Sequence, residues 1–182
     1  MRFTALALPG AFIIAPERHA DSRGYFARTF CRDEFTAHGL TSAFVQCSTS
    51  FNARRGTLRG MHLQRAPHAE IKLVRCTRGS VLDVLLDLRP DSATFRHWQA
   101  VELTQDNGLA VYVPAGVAHG FQILTDASEV FYQMAEHHDA AAAAGVRWDD
   151  AAFAIDWPIA PPILSDRDAA YPDFDRPATT DW

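Results

Sequence analysis

Short hydrophobic segments separated by turn residues run along the chain from residue 12 to about residue 134. The segments are rich in β-branched, aromatic and leucine side chains, and turn-forming residues lie between them, which is the pattern of an antiparallel sandwich or barrel. The predicted strands are Phe12–Ala15, Ser42–Ser48, Gly56–Leu63, Glu70–Thr77, Ser80–Asp87, His97–Leu103, Ala110–Val113, Gly120–Ile123 and Glu129–Met134. Helical periodicity is confined to Arg32–Ala37, while the five alanines at 140–144 fit either a short helix or a plain loop.

The turn residues predict how these strands are connected. Arg78-Gly79 lies between two apolar runs and is predicted to form a hairpin, and Pro90–Ser92 and Asp106–Gly108 mark further reversals. Neighbouring strands are therefore expected to be mostly antiparallel. After Trp157 the chain contains repeated prolines, as far as Pro177, so this tail is expected to pack over the barrel as irregular chain.

Length and composition favour an ordinary globular protein. With 182 residues the chain fits a single domain over residues 1–182, and the strand pattern makes it an all-β sandwich or barrel with short peripheral helices and an irregular C-terminal tail. Asp83 and Asp87 interrupt the most apolar run, far short of a membrane span, and Pro9-Gly10 breaks the apolar stretch near the start, which argues against a secretory signal. We therefore predict a cytoplasmic protein that does not bind membranes.

Cysteine content and charge exclude further classes of partner. Cys31, Cys47 and Cys76 are odd in number and form no CxxC pair, which argues against a disulfide framework and against a thiolate zinc site. The net charge is −5, and no basic cluster exists beyond Arg54-Arg55, so nucleic acid is not expected as the main partner. A small anionic ligand held by a few arginines is compatible with this charge.

Lys72 is the only lysine among the 17 basic residues of the chain. A lysine where every other basic position is arginine indicates a need for a compact ammonium group with an adjustable pKa. On composition alone, a coding bias that leaves one surface lysine is the simpler explanation. The position of Lys72 in the fold distinguishes a functional ammonium group from a leftover surface lysine.

Two predicted strands bring a histidine and this lysine together. His62 and Gln64 are two residues apart and share one face of a strand, and Lys72 shares a face of the next strand with Val74. If these strands pair, His62 and Lys72 line one cavity. His119 follows in a turn at a strand end, where the mouth of a barrel is expected.

The Pro114 to Gly120 segment, with its Pro-x-Gly-x-x-His spacing, resembles the second motif of cupin barrels, which normally bind a metal through histidines and a glutamate. Here Gln64 occupies the place of the second histidine of the first motif, and Lys72 is a cation where a ligand is needed. An ammonium group cannot ligate a metal and repels it. We therefore predict a cupin fold without a catalytic metal or other cofactor, although a plain hydrogen-bonded histidine in a Gly-rich turn explains His119 equally well.

The remaining residue types suit the removal of a proton from a carbon next to a ketone. That reaction needs a base, a cation for the enolate oxygen, and an acid on the opposite face. His62, Lys72 and Tyr132 are residues of these three types. Tyr132 taken alone is more typical of an aromatic residue that packs in a strand.

Together the motifs resemble the dTDP-4-dehydrorhamnose 3,5-epimerase family of nucleotide-sugar enzymes. The match runs over nearly the whole chain, and its segments are specific as an ordered set, although each is weak alone. The matching segments are Asp21–Phe26, Phe44–Gln46, Thr57–Gln64, Lys72–Cys76, Pro114–Phe121, Tyr132, Gly145–Asp150, Trp157-Pro158 and Leu164–Asp168.

The resemblance implies a homodimeric, metal-free cupin-like barrel and a role for each matching residue. It implies that His62 is the base, paired with Asp168, that Tyr132 is the proton donor, and that Lys72 holds the enolate. Without the resemblance, Asp168 would be interpreted as a solvated carboxylate of the tail. The implied contacts to the nucleotide sugar are Arg23, Gln46, Arg59, His119 and Arg167.

Departures from the family pattern concern substrate recognition. The family often has glutamate at the position of Arg28 and asparagine at that of Ser48, both counted here as substrate-binding candidates. Gln133 replaces a lysine that commonly follows the tyrosine, and His137-His138 replaces a tyrosine pair, so that His138 is a further candidate. The reversed charge at Arg28 leaves the nucleotide open.

The function expected is epimerisation at C3 and C5 of a nucleoside-diphosphate-linked 4-keto-6-deoxy hexose, as in dTDP-rhamnose biosynthesis. A single-carbon epimerase and an enzyme for a CDP-linked sugar are alternatives with the same machinery. A non-catalytic barrel that binds sugar nucleotides would lack one of the proton-transfer residues, and none is missing. A metal-dependent cupin oxygenase or isomerase would bind a metal tightly.

Overall fold

The computed structural model describes residues 1–174, so Pro177 lies outside the described residues. In chain order the strands are β1 (Arg2–Ala5), β2 (Phe12–Ala15), β3 (Arg18–Asp21), β4 (Gly24–Ala27), β5 (Gln46–Asn52), β6 (Leu58–Gln64), β7 (Lys72–Arg78), β8 (Ser80–Asp87), β9 (Trp98–Thr104), β10 (Ala110–Val113), β11 (Val117–Ile123), β12 (Ser128–Met134) and β13 (Ala143–Gly145). Two short helices, α1 (Arg32–Ala37) and α2 (Asp166–Ala169), accompany them.

Two antiparallel sheets form the body of the protein. One has the order β1-β2-β10-β7-β12-β5 and the other the order β13-β6-β11-β8-β9, while β3 and β4 form a separate hairpin. The architecture is the all-β jelly-roll barrel that the alternating pattern predicts. Among residues 1–174, no helix is long and apolar enough to cross a membrane.

Strand β8 shows why the two sheets stay together. Val81 and Leu85 face the first sheet and pack in the core between the sheets. Val84 and Leu86 point the other way and pack under the irregular chain that contains Phe153. The strand is therefore buried on both faces, and full burial of each such side chain contributes about 1.5–3 kcal/mol.

Five segments of regular structure escape the sequence prediction, namely β1, β3, β4, β13 and α2. Strands β1 and β3 are short, and the side chains of β3 are all exposed, so no alternation of buried and exposed positions marks it. The alanine run at 140–144 is neither a helix nor only a loop, because its end forms β13 and pairs with β6. The end of this run forms a strand through backbone pairing, which does not depend on side-chain character.

One prediction about a connection is wrong, and one pairing that the sequence left open does not form. Arg78-Gly79 does not close a hairpin, because β7 and β8 belong to different sheets and the chain crosses between them there. Gly79 has φ of +76°, a conformation that favours glycine, and this lets the chain change sheets within one residue. For the same reason β6 and β7 do not pair, and His62 and Lys72 face each other across the barrel instead of along one sheet.

Candidate active site

A cavity of about 700 Å³ opens between the two sheets. Strands β5, β7 and β12 of one sheet and β6 and β11 of the other provide most of its wall. The sequence-predicted residues that line it are Gln46, Ser48, Arg59, His62, Lys72, His119, Tyr132, His138 and Arg167.

His62 forms a dyad with Asp168 behind the cavity wall. The His62 Nε2 atom lies 2.7 Å from Asp168 Oδ1, and the Gly60 amide donates to the other carboxylate oxygen at 3.3 Å. Ser165 caps α2 by accepting a hydrogen bond from the Asp168 amide, which fixes the carboxylate in place. Burial acts to raise the pKa of Asp168, but the hydrogen bond and charge of His62 outweigh it and the pKa is lowered.

This arrangement defines which His62 nitrogen is free of Asp168. Asp168 is ionised, so it accepts a hydrogen bond from Nε2–H, and the lone pair of the neutral ring then lies on Nδ1. Asp168 is 3% exposed, whereas the His62 side chain keeps 35% of its surface exposed toward the cavity. The ring is therefore held from behind and accessible in front.

His119 forms a second dyad, with Asp83 of β8. His119 Nε2 lies 2.8 Å from Asp83 Oδ2, and both side chains are buried. The expected place of His119 in a turn at the barrel mouth is wrong, because it lies inside β11 directly opposite His62 of β6. Gly60 permits this close pairing, since a Cβ there would lie 2.6 Å from the Gly120 Cα.

Tyr132 enters the cavity from β12. Its ring lies edge-on to His119, with the ring centroids 6.3 Å apart. Burial raises the pKa of Tyr132 above the ordinary tyrosine value, and the negative charge of Asp83 acts in the same direction. The charge of Arg59 and a hydrogen bond with Ser50 oppose this shift without cancelling it. The hydroxyl therefore stays protonated at neutral pH.

Lys72 is held at the cavity wall by an acidic neighbour. Its Nζ lies 2.8 Å from Glu70 Oε1, and both side chains are mostly buried. Lys72 also approaches the carbonyl oxygen of His62 at 3.5 Å. The ammonium group is thus fixed close to His62.

Two arginines contribute positive charge to the same cavity. Arg59 follows Leu58 on β6, and its Nε donates to Asn52 Oδ1 at 2.7 Å, which leaves the rest of the guanidinium group toward the cavity. Arg167 projects from the first turn of α2, next to Asp168. Guanidinium groups suit the geometry of phosphate oxygens.

Two of the predicted substrate contacts lie outside the cavity of this chain. Arg23 is at the tip of the β3–β4 hairpin, where its side chain is 87% exposed and pairs with Asp21. Arg28 pairs with Glu34 at 3.2 Å beside α1. Neither arginine lines the cavity that contains His62.

Several residues of the site escape the sequence prediction. Glu70, Phe51 and Glu136 line the cavity, and Asp83 lies directly behind it. A signal for Asp83 exists in the sequence, because it is an acid in the middle of an otherwise apolar strand, a position where a carboxylate needs a partner. Glu70 carries no such signal before its pairing with Lys72 is known.

The cavity does not assemble a metal-ligand set from the described part of the chain. No group of three or more His, Cys, Asp or Glu side chains within residues 1–174 is placed to hold an ion. Gln64 lies where a cupin would place a second histidine, and its amide is bonded to backbone groups of His68, His137 and Asp139. The donors that are present suit proton transfer and the binding of an anion.

A histidine bonded to a buried carboxylate, an ammonium group and a protonated tyrosine surround one cavity on a cupin-like barrel, and these are the groups that an isomerase acting by proton transfer at carbon requires. Comparison with known proteins identifies the particular family. The family model for dTDP-4-dehydrorhamnose 3,5-epimerase matches residues 5–176, and the chain belongs to this family.

Individual relatives resemble the chain over most of its length. The dTDP-4-dehydrorhamnose 3,5-epimerase of Sinorhizobium fredii is 39% identical, over 94% of this chain and 89% of the relative. The crystal structure of that enzyme from Bacillus anthracis, with TDP and pyrophosphate bound, has a TM-score of 0.92 and 37% identity, and the match covers 95% of this chain and 99% of the other. A dTDP-4-dehydrorhamnose 3-epimerase of Streptomyces niveus is 37% identical, over 92% of this chain and 81% of the relative.

Proposed function

We propose that this chain epimerises both C3 and C5 of dTDP-4-dehydro-6-deoxy-D-glucose and so forms dTDP-4-dehydro-L-rhamnose. The observation that carries the proposal is the His62–Asp168 dyad at 2.7 Å, which faces the same cavity as Lys72 and Tyr132. Membership of the 3,5-epimerase family supports the substrate and the double reaction.

The first step is the removal of a proton from carbon by His62. Nδ1 takes the proton, the electrons of the broken C–H bond form the enolate, and its negative charge develops on the C4 oxygen. Asp168 stabilises the imidazolium that results, since its carboxylate is ionised and bonded to Nε2. Lys72 supplies a positive charge close to the developing oxyanion.

Tyr132 then donates a proton to the opposite face of the enolate. Inversion requires an acid that does not share the face of the base, and Tyr132 comes from the opposite sheet. The raised pKa of Tyr132 suits a proton donor, because the group is fully protonated before the enolate forms. Both groups must recover their starting protonation before the second carbon reacts.

We assign binding roles to the other cavity residues. Arg59 and Arg167 pair with the diphosphate, since they are the guanidinium groups among the cavity-lining residues of the described chain. His119, held by Asp83, contacts the sugar from the wall of the cavity. Gln46, Ser48 and His138 form the wall on the side of β5, and we assign them to nucleotide recognition.

The protein acts as a homodimer in this proposal, with Arg23 and Arg28 near a partner's site. Tyr25 and Phe26 on the β3–β4 hairpin are 57% and 72% exposed, which supports burial of this hairpin against a second chain. Light scattering of the purified protein tests the dimer directly. A monomer at micromolar concentration would contradict it.

A single-carbon epimerase is the second candidate, because a 3-epimerase resembles the chain about as closely as the double epimerases do. Incubation with the dTDP-linked 4-keto-6-deoxyglucose in deuterated water, followed by NMR, separates the two. Deuterium at both C3 and C5 supports double epimerisation, and deuterium at C3 alone supports the 3-epimerase. Exchange at neither carbon would leave a non-catalytic binding protein.

Parallel reactions define the nucleotide and the cofactor requirement. The CDP-linked sugar tested under the same conditions shows whether Arg28 and Ser48 redirect nucleotide choice. Elemental analysis and treatment with a chelator test the metal-free mechanism, which predicts full activity after chelation. Cell fractionation tests the cytoplasmic location.

A further inference from the structure

Gln64 is almost completely buried, at 2% exposure, yet its amide group contacts only backbone atoms of two loops. Its Nε2 donates to the carbonyl oxygens of His68 at 3.0 Å and His137 at 3.2 Å. Its Oε1 accepts a hydrogen bond from the Asp139 amide at 2.7 Å. Both amide hydrogens and one acceptor site of the side chain are therefore used.

A second glutamine, Gln46, binds His138, the residue between His137 and Asp139. The His138 amide donates to Gln46 Oε1 at 3.1 Å. Three consecutive residues at the cavity rim, 137–139, are thus held through their backbones by the side chains of Gln46 and Gln64. We call residues 137–139 the rim segment.

The rim segment has no regular secondary structure, and the side chains of His137 and His138 are exposed. His138 nevertheless lines the cavity. Its place in the wall therefore depends on how the backbone is fixed. Gln64, the buried glutamine of β6, restricts the rim segment more than Gln46 does, because it bonds the residues on both sides of His138.

We propose that Gln64 is a positioning residue that fixes the rim segment before the ligand arrives and so sets the affinity for the nucleotide sugar. A loop that is ordered in advance spares the ligand the entropy cost of ordering it on binding. Gln64 lines the cavity on the same face as His62, but its amide is occupied by the backbones of the two loops, so it acts through His138 and not on the reacting atoms. The choice of ligand rests on the proposed function, whereas the ordering of the rim segment does not.

The test compares Gln64→Met with a matched variant, Gln122→Met. Gln122 is fully buried in β11, outside the cavity, and also bonds a loop backbone. Its Nε2 donates to the Ile159 carbonyl oxygen at 2.8 Å, and its Oε1 accepts a hydrogen bond from the Ile159 amide at 3.1 Å. Methionine keeps the length of the side chain and removes the amide. Both variants therefore lose similar hydrogen bonds, and only one frees the rim.

In the unliganded protein, Gln64→Met should accelerate hydrogen–deuterium exchange at the His138 and Asp139 amides by roughly tenfold or more. The KM for the dTDP-sugar and the Kd for dTDP should each rise roughly tenfold, with kcat within about threefold of the wild type. Gln122→Met should leave these amides and both constants near their wild-type values. Equal effects of the two variants, or unchanged exchange in Gln64→Met, would overturn the proposal.

Gln46→Met provides a second measurement if Gln64→Met does not fold. Gln46 is only partly buried, and its loss frees the His138 amide alone. Exchange should then accelerate at His138 and stay slow at Asp139, which Gln64 still holds. Faster exchange at both positions would show that Gln64 does not hold the segment. If the wild type has no epimerase activity, the exchange results still decide the ordering role.

Discussion

Asp168 lies 2.7 Å from His62, although 106 residues separate them along the chain. The contact joins the tail to strand β6 of the barrel, and it combines the proposed base with the group proposed to orient it. Asp168→Asn should lower kcat by roughly 10²-fold or more, because an amide does not stabilise the imidazolium and can hold the wrong tautomer. Asp166→Asn, an exposed position in the same helix, is the matched control for stopped-time turnover assays.

His62→Ala removes the base. We expect turnover to fall by roughly 10²-fold or more and deuterium incorporation to stop at both carbons, with the fold retained by circular dichroism. His97→Ala changes an exposed histidine outside the cavity and should have no effect. Near-normal turnover in His62→Ala would mean that the base is another residue.

Tyr132→Phe removes the acid and leaves the base. His62 can still take a proton and return a deuteron to the same face, so substrate should incorporate deuterium without inversion while product formation falls roughly 10²-fold or more. NMR of the sugar ring distinguishes the two outcomes. Tyr112→Phe alters a buried tyrosine that bonds the Thr41 amide and should keep full turnover. Unchanged inversion in Tyr132→Phe would assign the acid elsewhere.

The pH dependence of kcat should reveal the role of Asp83. Burial and the Asp83 carboxylate raise the pKa of Tyr132, so the wild type should show no loss of activity in the alkaline range where an ordinary tyrosine ionises, near pH 10. Asp83→Asn removes the negative charge and should shift the alkaline limb to lower pH. Glu102→Gln, on the exposed face of β9, is the control. An alkaline limb that does not move would remove Asp83 from this role.

The turn between β8 and β9 predicts a stability that depends on pH. Burial acts to raise the pKa of Asp87, but hydrogen bonds from Arg89, Ser92 and Thr94 outweigh it and lower the pKa from 3.8 to about 2. Because the folded pKa is the lower one, the stabilisation is complete above about pH 4 and is lost as the pH falls to about 2. Asp87→Asn should therefore lose about 2–3 kcal/mol at pH 7 and progressively less below pH 4.

Urea unfolding at several pH values measures this difference. Asp91→Asn changes an exposed carboxylate in the same turn and should leave the free energy of unfolding nearly unchanged. A constant difference between wild type and Asp87→Asn from pH 7 to pH 2 would contradict the assigned pKa.

The strands could be predicted wherever burial leaves a pattern in the side chains. Strand β8 is recognisable because both of its faces are apolar, whereas β3 is exposed and β13 consists of small residues that pair through the backbone. The connection at Arg78-Gly79 could not be assigned, because a glycine with positive φ serves a hairpin and a change of sheet equally well.

The site residues likewise divide into those that a sequence pattern predicts and those that only the fold brings together. His62 and Lys72 were expected in one cavity, and they do line one, but they face each other from opposite sheets. Asp168 and Glu70 have no local signal, since their chemistry depends on partners brought close by the fold. The resemblance to the family predicted the role of Asp168. The pairing of Glu70 with Lys72 is visible only in the folded structure.

The late position of α2 in the chain sets an order of assembly during synthesis. The thirteen strands within residues 1–174 all end before residue 146, so both walls of the cavity and His62 are made before Ser165 and Asp168 leave the ribosome. A nascent chain of that length would hold an imidazole without its carboxylate and would lack Arg167. Proton removal by the proposed His62–Asp168 pair would therefore reach its full rate only after α2 has docked against β6.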